Sequence, residues 1–249
     1  MRLLIANPNT TDAVTSAAAE VARRAASPGT QILAASARFG AAIIGTRAEL
    51  AVSEHASLEL LARHAGGCDA AIVAASTDSG LRAARELLAI PVLGLTESAI
   101  HVACLLGGRF AALTLSARSG VLARELIDGY GFGSRCAGVR AVAAIPEHML
   151  REPDRVAAML AEEAREAVEE GADVIVLIGA VLADMPQRLQ PRLPVPVVEG
   201  VSCAVVLAEA LVRLGPPPAR AGGYAAPEGR MTSGLDTVLA ARLAWKGGA

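Results

Sequence analysis

The sequence predicts an α/β protein with two pseudo-symmetric Rossmann-like lobes, each built on a parallel sheet, and a cleft between the lobes. Three observations support this fold class. Short apolar runs without polar alternation separate longer amphipathic stretches, a pattern typical of parallel strands that helices cover on both faces. The chain has 249 residues, enough for two compact lobes. A segment of the first half also recurs in the second.

Short apolar runs mark the predicted strands. They cover residues 3–6, 31–35, 70–74, 91–95, 110–115, 139–144, 174–178 and 196–198. Longer stretches between them have the spacing of amphipathic helices. These helices are predicted at residues 12–26, 57–64, 81–88, 119–129 and 154–170. The alternation of strand and helix favours parallel pairing of the strands.

An internal repeat divides these elements into two comparable sets. The strand at residues 69–75 recurs at 173–179, an offset of 104 because 173 − 69 = 104. A Pro-Val strand follows each copy, at Pro91 and Pro196, and 196 − 91 gives an offset of 105. The alternative explanation is that this similarity is only the regular strand–helix alternation found in any α/β protein. As a structural repeat, the pattern predicts two lobes that face each other.

The predicted lobes comprise residues 1–96 with 203–249, and residues 97–202. Open parallel sheets bind their ligands beyond the carboxyl ends of the strands. Ala75 and Gly179 end equivalent strands, so we expect them to face each other across the cleft.

Composition and charge argue against several classes of function. The formal net charge is −2 with both signs mixed along the chain, unlike a nucleic-acid-binding surface. No apolar run has the length of a membrane span or signal peptide, so we expect a cytoplasmic protein without a membrane partner. The cysteines lack metal-ligand spacing, and no cofactor motif or phosphate loop is recognisable, so we expect neither metal nor cofactor. The sequence is compatible with a homo-oligomer as well as with a monomer.

Two strand ends of the first predicted lobe carry polar residues. Asn7 follows the first strand and could offer its amide to a ligand, while Thr10 or Thr11 could cap the next helix. The alternative is a plain helix cap after a strand.

The second polar strand end is the segment Ser76, Thr77, Asp78 and Ser79, which follows Ala75. Its hydroxyls, its carboxylate and its backbone N–H groups favour a carboxylate or a developing oxyanion. We therefore interpret Ser76, Thr77 and Asp78 as candidate catalytic residues. The alternative is a capped turn, with Asp78 or Ser79 as the cap of the following helix.

In the second predicted lobe, Thr114 ends a strand and Ser116 could cap the next helix. Arg118 is either a surface charge or a partner that bridges the lobes. Gly179 and Ala180 form an apolar strand end. The predicted substrate-binding residues are Asn7, Ala75, Ser79, Thr114, Gly179 and Ala180.

Two further positions could carry protons. His101 follows Glu97 at helical spacing, so the two could form an acid–base pair or only a local helix pair. Cys203 begins the helix after the last strand, where a helix dipole could lower the pKa of its thiol. A small buried packing residue is the alternative for Cys203.

Several short segments occur in an order and at distances that resemble one known family. They lie at residues 7–10, 27–30, 78–81, 83–86, 171–177, 194–197 and 224–227. Together they resemble the hydantoin and allantoin racemases of the Asp/Glu racemase superfamily, over nearly the whole chain. The resemblance implies a two-lobed fold in which two cysteines face each other, one removing a proton next to a carbonyl and the other returning it.

The resemblance places Ala75 at the first cysteine position and Gly179 at the second. Neither residue has a titratable group, so two-base racemisation by thiols is not available, and we expect hydantoin racemisation to be absent or very slow. Ala75, Ser76 and Thr77 also resemble the arylmalonate decarboxylase branch, where a small residue precedes hydroxyls that help to bind an enediolate. That branch keeps the second cysteine, which this chain lacks.

Three functions stay open on the sequence. The first is a cofactor-independent enzyme that acts on a small cyclic ureide, amidine or carboxylate through an enolate- or oxyanion-stabilising pocket, with water, Asp78, His101 or a substrate group as proton carrier. The second is a hydantoin-type racemase with a displaced thiol, at Cys203 or Cys104. The third is a non-catalytic homologue that binds a small ligand. In each, the expected partner is a small anionic or enolisable molecule.

Overall fold

The computed structural model describes residues 1–144 and 151–244, which form two four-stranded sheets with helices on both faces. Every strand pair in both sheets is parallel. The strands of the first sheet are β1 (Arg2–Asn7), β2 (Gln31–Ser36), β3 (Ala70–Val73) and β4 (Val92–Gly94). Those of the second are β5 (Phe110–Thr114), β6 (Cys136–Ala141), β7 (Val174–Leu177) and β8 (Val197–Glu199).

The two sheets have the same topology. The first has the order β2-β1-β3-β4 and the second the order β6-β5-β7-β8, so that each strand of one sheet has a counterpart in the other. The fold class predicted from the internal repeat is therefore confirmed. All the predicted strands are present, and the sixth deviates most, because it begins at Cys136 rather than at residue 139.

The helices follow the strands in the predicted alternation. They are α1 (Asp12–Ala25), α2 (Arg47–His64), α3 (Leu81–Leu87), α4 (Leu95–Leu106), α5 (Ala117–Gly129), α6 (Pro153–Glu169), α7 (Pro186–Leu189), α8 (Gly200–Leu214) and α9 (Thr237–Leu243). Helix α2 begins well before the predicted residue 57. Its first turns bury Ser53 and are capped by Thr46, which accepts the Glu49 N–H at 3.2 Å, and a buried serine does not show up in an apolar pattern. No helix in the described ranges is long and apolar enough to cross a membrane.

The helix that follows the last strand of each sheet packs on the other sheet. Helix α4 follows β4 of the first sheet, yet its Ile100 belongs to the core of the second sheet with Phe110. Helix α8 follows β8 of the second sheet, yet its Val205 belongs to the core of the first sheet with Ile5. The two lobes are thus joined by a reciprocal exchange of helices. The predicted lobe boundaries, at residues 96/97 and 202/203, fall in the first turns of these helices and stay a prediction.

Helices α4 and α8 cross closely at their first residues. A Cβ atom on Gly200 would lie 2.5 Å from Leu95 Cβ and 2.6 Å from Leu95 O, closer than any real Cβ contact. Since 200 − 95 equals the repeat offset of 105, Leu95 and Gly200 are equivalent positions, and their contact marks the pseudo-twofold axis. Only glycine at residue 200 permits this crossing.

We expect Gly200→Ala to destabilise the protein by about 1–3 kcal/mol, because the added methyl group forces the two helices apart. Urea denaturation measures the free energy of unfolding. The matched control is Gly129→Ala at the end of α5, where an added Cβ meets nothing within 4 Å. This control should be neutral or gain up to about 1 kcal/mol from its better helix propensity. Equal effects of the two substitutions would contradict the close crossing.

Candidate functional site

A small pocket, open to solvent, lies between the carboxyl ends of the two sheets. Ser76 and Thr77 line it from the loop after β3, and Thr114 and Ile178 line it from the ends of β5 and β7. The remaining lining residues are Ser119, Leu122 and Ala123 of α5 and Ile44 of the loop before α2. Three predicted site residues, Ser76, Thr77 and Thr114, thus meet in one pocket, as expected for strand ends at a shared cleft.

Contacts at both ends hold the loop that carries Ile44. At one end, the Thr10 N–H donates to Ala41 O at 3.2 Å, and the Thr11 hydroxyl donates to Ala42 O at 2.7 Å. Thr11 is the N-cap residue of α1, but its side chain accepts no hydrogen bond from the helix, so the predicted hydroxyl cap is wrong. At the other end, Arg47 of α2 forms an ion pair with Glu125 of α5, which links the two lobes beside the pocket.

Polar groups without partners face the pocket from both lobes. In the described part of the chain, the Ser76 and Thr114 hydroxyls make no hydrogen bond, and neither do the backbone N–H groups of Ser76 and Thr77. Ser76 and Thr77 are half-buried, and the hydroxyl of the buried Thr114 still reaches solvent. Because these groups have no partner in the described chain and stay accessible, they are candidates for ligand contacts.

The pocket lining formed by the described residues is electrically neutral. Four of the eight residues are hydroxyl-bearing and four are apolar, and none has an acidic, basic or thiol side chain. Within residues 1–144 and 151–244 there is also no cluster of three or more His, Cys, Asp or Glu side chains that could hold a metal ion. The lining therefore suits a small molecule with an apolar part and a polar edge.

Asp78 caps α4 rather than the helix that follows it in sequence. Its carboxylate accepts the N–H groups of Thr96 at 3.1 Å and Glu97 at 2.8 Å, both in the first turn of α4. Gly94 makes room for it, because a Cβ there would lie 2.3 Å from Asp78 Cγ. The cap residue of α3 is Gly80, with φ +73° and no side-chain bond, so the alternative in which Asp78 or Ser79 caps α3 is wrong.

The carboxyl group of Asp78 also bridges the lobes. Tyr130, at the end of α5, donates its hydroxyl to Asp78 Oδ2 at 2.8 Å. Burial raises the pKa of Asp78 to about 7, although the three donors oppose that shift. The side chain is 5% exposed and does not line the pocket. The predicted role of Asp78 as a proton carrier is therefore not supported: its oxygens are occupied, and it positions the loop that bears Ser76 and Thr77.

A buried carboxyl group also caps the corresponding helix α8, but it comes from a different position in the repeat. Glu199 caps α8 with both carboxylate oxygens, which accept the N–H groups of Val201 at 2.6 Å and Ser202 at 2.7 Å. In the repeat, Glu199 corresponds to Gly94, because 199 − 94 = 105. Each of the two central helices thus receives one buried carboxyl group at its N-terminus, and burial raises the pKa of Glu199 as well.

Ser79 and Asn7 are buried next to the residues of the site and do not line the pocket. Ser79 is fully buried, and its hydroxyl lies 2.7 Å from that of Thr77. Asn7 is also fully buried, and its amide donates to Asn9 Oδ1 at 2.9 Å and to Thr15 Oγ1 at 2.8 Å. Because both amide hydrogens have acceptors, the predicted ligand contact of Asn7 is not supported.

Ala75, Gly179 and Ala180 adjoin the pocket without lining it. Ala75 precedes Ser76 and Gly179 follows Ile178, so each is one residue from the lining. Gly179 has φ +148°, which L side chains rarely adopt, but an added Cβ would find its nearest neighbour only at 3.6 Å. Ala180 packs against the core of the first sheet instead. That Ala75 and Gly179 face each other stays a prediction.

The suggested acid–base pair of Glu97 and His101 does not form. The Glu97 carboxylate pairs with the Arg85 guanidinium, and His101 Nδ1 lies 2.8 Å from the Glu97 backbone oxygen. The exposed His101 ring packs edge-on against Phe132, with 4.9 Å between ring centroids.

On the second lobe, Ser116 caps α5 as predicted, accepting the Ser119 N–H at 3.1 Å. Arg118 is exposed and forms no ion pair in the described chain.

None of the four cysteines lines the pocket. Cys203 lies in the core of the second sheet, where burial, reinforced by the nearby Glu199 carboxylate, raises the pKa of its thiol to about 12. The suggestion that a helix dipole lowers this pKa is therefore wrong. Burial also raises the pKa of Cys104. No thiol is thus placed to act as a base on a molecule in the pocket.

The fold is a two-lobed parallel α/β structure with a pocket between the carboxyl ends of its two sheets. The Asp/Glu/hydantoin racemase family model matches residues 3–208, and the chain belongs to this family. It is 34% identical to a hydantoin racemase of Pseudomonas sp. (strain NS671) over 230 residues, 92% of each chain.

Solved structures agree with this assignment. The allantoin racemase from Klebsiella pneumoniae superimposes with a TM-score of 0.91 at 34% identity, covering 96% of this chain and 98% of that one. An arylmalonate decarboxylase structure superimposes with a TM-score of 0.64 at 20% identity, covering 90% of this chain and 97% of that one, and shares the fold.

We expect the stabilising effect of Asp78 to depend on pH. Its pKa is about 7 in the folded protein, against an ordinary value of 3.8 for an aspartate in the unfolded chain, so between these values the folded state binds more protons than the unfolded state. The free energy of unfolding should therefore fall as the pH rises towards and through about 7. Urea denaturation from about pH 5 to about pH 8 should show the wild-type curve losing stability relative to Asp78→Asn. The control is Asp128→Asn at an exposed ion pair of α5. Parallel curves for wild type and Asp78→Asn would rule out the raised pKa.

Proposed function

We propose that the protein is a cofactor-independent enzyme that acts on a small cyclic ureide, amidine or carboxylate without a cysteine base. It stabilises an enolate or oxyanion form of this molecule in the interlobe pocket. The observation that carries the proposal is the set of unpaired donors at Ser76 and Thr77 opposite the unpaired hydroxyl of Thr114.

The relatives narrow the substrate class. The similar proteins are named hydantoin racemase and allantoin racemase, and both named substrates are cyclic ureides with a carbon next to a carbonyl group. Loss of the proton from that carbon moves negative charge to the carbonyl oxygen. Donors aimed at that oxygen stabilise the charge as it forms. The hydroxyls and backbone N–H groups at Ser76 and Thr77 supply such donors, and the apolar residues of α5 suit a ring or substituent.

The proton must be carried differently from a two-thiol racemase. Ala75 and Gly179, which the family resemblance places at the two thiol positions, have no group that can titrate. Asp78 and His101 are held in contacts outside the pocket lining. Water in the open pocket or a basic group of the substrate is the proton carrier that fits this arrangement.

A binding protein without catalytic activity is the second candidate. The observation that favours it is that none of the described residues lining the pocket has a titratable side chain. The two candidates differ in one measurable respect: only the enzyme accelerates exchange of a proton or chemical change in the bound molecule.

We expect the wild-type protein to exchange the ring C–H of hydantoin or allantoin in deuterated water more slowly than a thiol-restored variant. Ala75→Cys should accelerate this exchange by about 100-fold or more, the usual contribution of a general base. Proton NMR follows the loss of the C–H signal. Ala75→Ser is the matched control, since it adds a group of similar size that does not ionise near neutral pH.

Rapid exchange by the wild type that is lost in Cys203→Ala would instead show that a displaced thiol carries the chemistry. Tight binding with no exchange above the buffer rate and no change to the ring would favour the binding protein.

The pocket residues should also control affinity. Thr77→Val and Thr114→Val should each weaken hydantoin binding by about 1–3 kcal/mol, because each leaves a buried partner on the ligand unpaired. Isothermal titration calorimetry measures the effect. The control is Thr10→Val, an exposed threonine that does not line the pocket. Unchanged affinity in both pocket variants would mean that the ligand binds elsewhere.

A further inference from the structure

The four apolar side chains that line the pocket come from three separate segments. Leu122 and Ala123 belong to α5, Ile178 directly follows β7, and Ile44 lies in the loop before α2. Together they form the apolar wall of the pocket. The three residues of the second lobe are buried, whereas Ile44 is half-buried. Within the described chain, Ile44 is therefore the one apolar side chain that the first lobe contributes to the lining.

Contacts on both sides of Ile44 hold it against α5. Two residues earlier, a backbone oxygen of the loop accepts the Thr11 hydroxyl at 2.7 Å. Three residues later, Arg47 forms an ion pair with Glu125 of α5. Leu122 and Glu125 are three residues apart, so they lie on the same face of that helix. The ion pair thus keeps Ile44 beside Leu122, in agreement with their shared place in the pocket lining.

The apolar wall suits an alkyl group and not a polar one. Its four side chains offer no hydrogen-bond donor or acceptor. Among the described lining residues of α5, only Ser119 has a hydroxyl, and this hydroxyl lies 2.8 Å from that of Ser116. A ureido group, with three N–H groups and a carbonyl, would lose water here without gaining equivalent partners. A short alkyl group has no polar atom to leave unpaired, and its burial is favourable.

We propose that the apolar wall receives a short alkyl substituent on the carbon that loses its proton, and that Ile44 sets the size limit of this substituent. This inference rests on the proposed function of the pocket and narrows its substrate class to alkyl-substituted cyclic ureides. Donors at Ser76 and Thr77 hold the edge of the ring that becomes the oxyanion, so the wall remains for the group on the adjacent carbon. Because the pocket is small, a bulky group meets Ile44 first.

Four probes separate the size of the substituent from its polarity. They are hydantoin, its methyl and isobutyl derivatives at the reacting carbon, and allantoin, which carries a ureido group there. Isothermal titration calorimetry gives the dissociation constant of each. We expect the wild type to bind methylhydantoin about fourfold more tightly than hydantoin, as the burial of one methyl group implies. Allantoin should bind about tenfold more weakly than methylhydantoin, because its ureido group lacks partners.

Substitution of Ile44 should move the size limit in either direction. In Ile44→Ala, the affinity for isobutylhydantoin relative to methylhydantoin should rise about tenfold, while the affinity for hydantoin stays the same. Ile44→Phe, which narrows the pocket, should shift this ratio the opposite way. The matched control is Ile43→Ala, because the neighbouring isoleucine is 49% exposed and does not line the pocket. This control should leave all four dissociation constants unchanged, and urea denaturation confirms that the variants are folded.

An equal change for all probes in Ile44→Ala, or the same shift in Ile43→Ala, would overturn the role of Ile44. Tighter binding of allantoin than of methylhydantoin by the wild type would overturn the alkyl substituent. Thr77→Val separates these failures from a failure of the proposed function. If Thr77→Val weakens hydantoin binding while the Ile44→Ala ratio stays constant, only the inference falls. If the wild type binds none of the probes, or binds them regardless of Thr77→Val and Thr114→Val, the proposed function falls and the inference with it.

Discussion

The carboxyl group of Asp78 joins the three parts of the chain on which the pocket depends. It holds the loop after β3, caps the first turn of α4 and accepts the hydroxyl of Tyr130 from the opposite lobe. The glycine at residue 94 permits this by leaving space for the carboxyl group. Because α4 then crosses to the second sheet, the same contact that orders Ser76 and Thr77 also fixes the distance between the two walls of the pocket.

Much of the fold could be predicted from the sequence because it follows from local patterns. Buried parallel strands appear as unbroken apolar runs, and the offset between residues 69 and 173 revealed the two equivalent sheets. The strand-end rule likewise brought Ser76, Thr77 and Thr114 together. The deviation at α2 is also local, because its buried serines interrupt the apolar face.

The rest of the site depends on contacts between distant segments. Asp78 was interpreted as a candidate catalytic residue, with capping of the next helix as the alternative. Instead it caps α4, and its third partner, Tyr130, lies 52 residues away. Ser53 of α2 donates to Ser79 from 26 residues away, a contact that no sequence period marks. One signal of this contact was present in the sequence. Asp78 is followed 16 positions later by Gly94, directly before an apolar helix, and the other repeat has Glu199 at the position that corresponds to Gly94. It suggests two ways of supplying one carboxyl group to each helix.

The fold of this chain is that of its family, but the chemistry of its pocket does not follow from the fold. The scaffold, the helix exchange and the hydroxyl-lined pocket fit a racemase-family protein, whereas no ionisable side chain of residues 1–144 and 151–244 lines that pocket. The most direct test of the proposed pocket is a crystal structure with bound hydantoin or allantoin. We expect a ring oxygen within hydrogen-bonding distance of the Ser76 and Thr77 donors and the opposite edge near Thr114. A ligand bound instead in the second, outer pocket beside Arg38, Arg63 and His64 would contradict the proposed site.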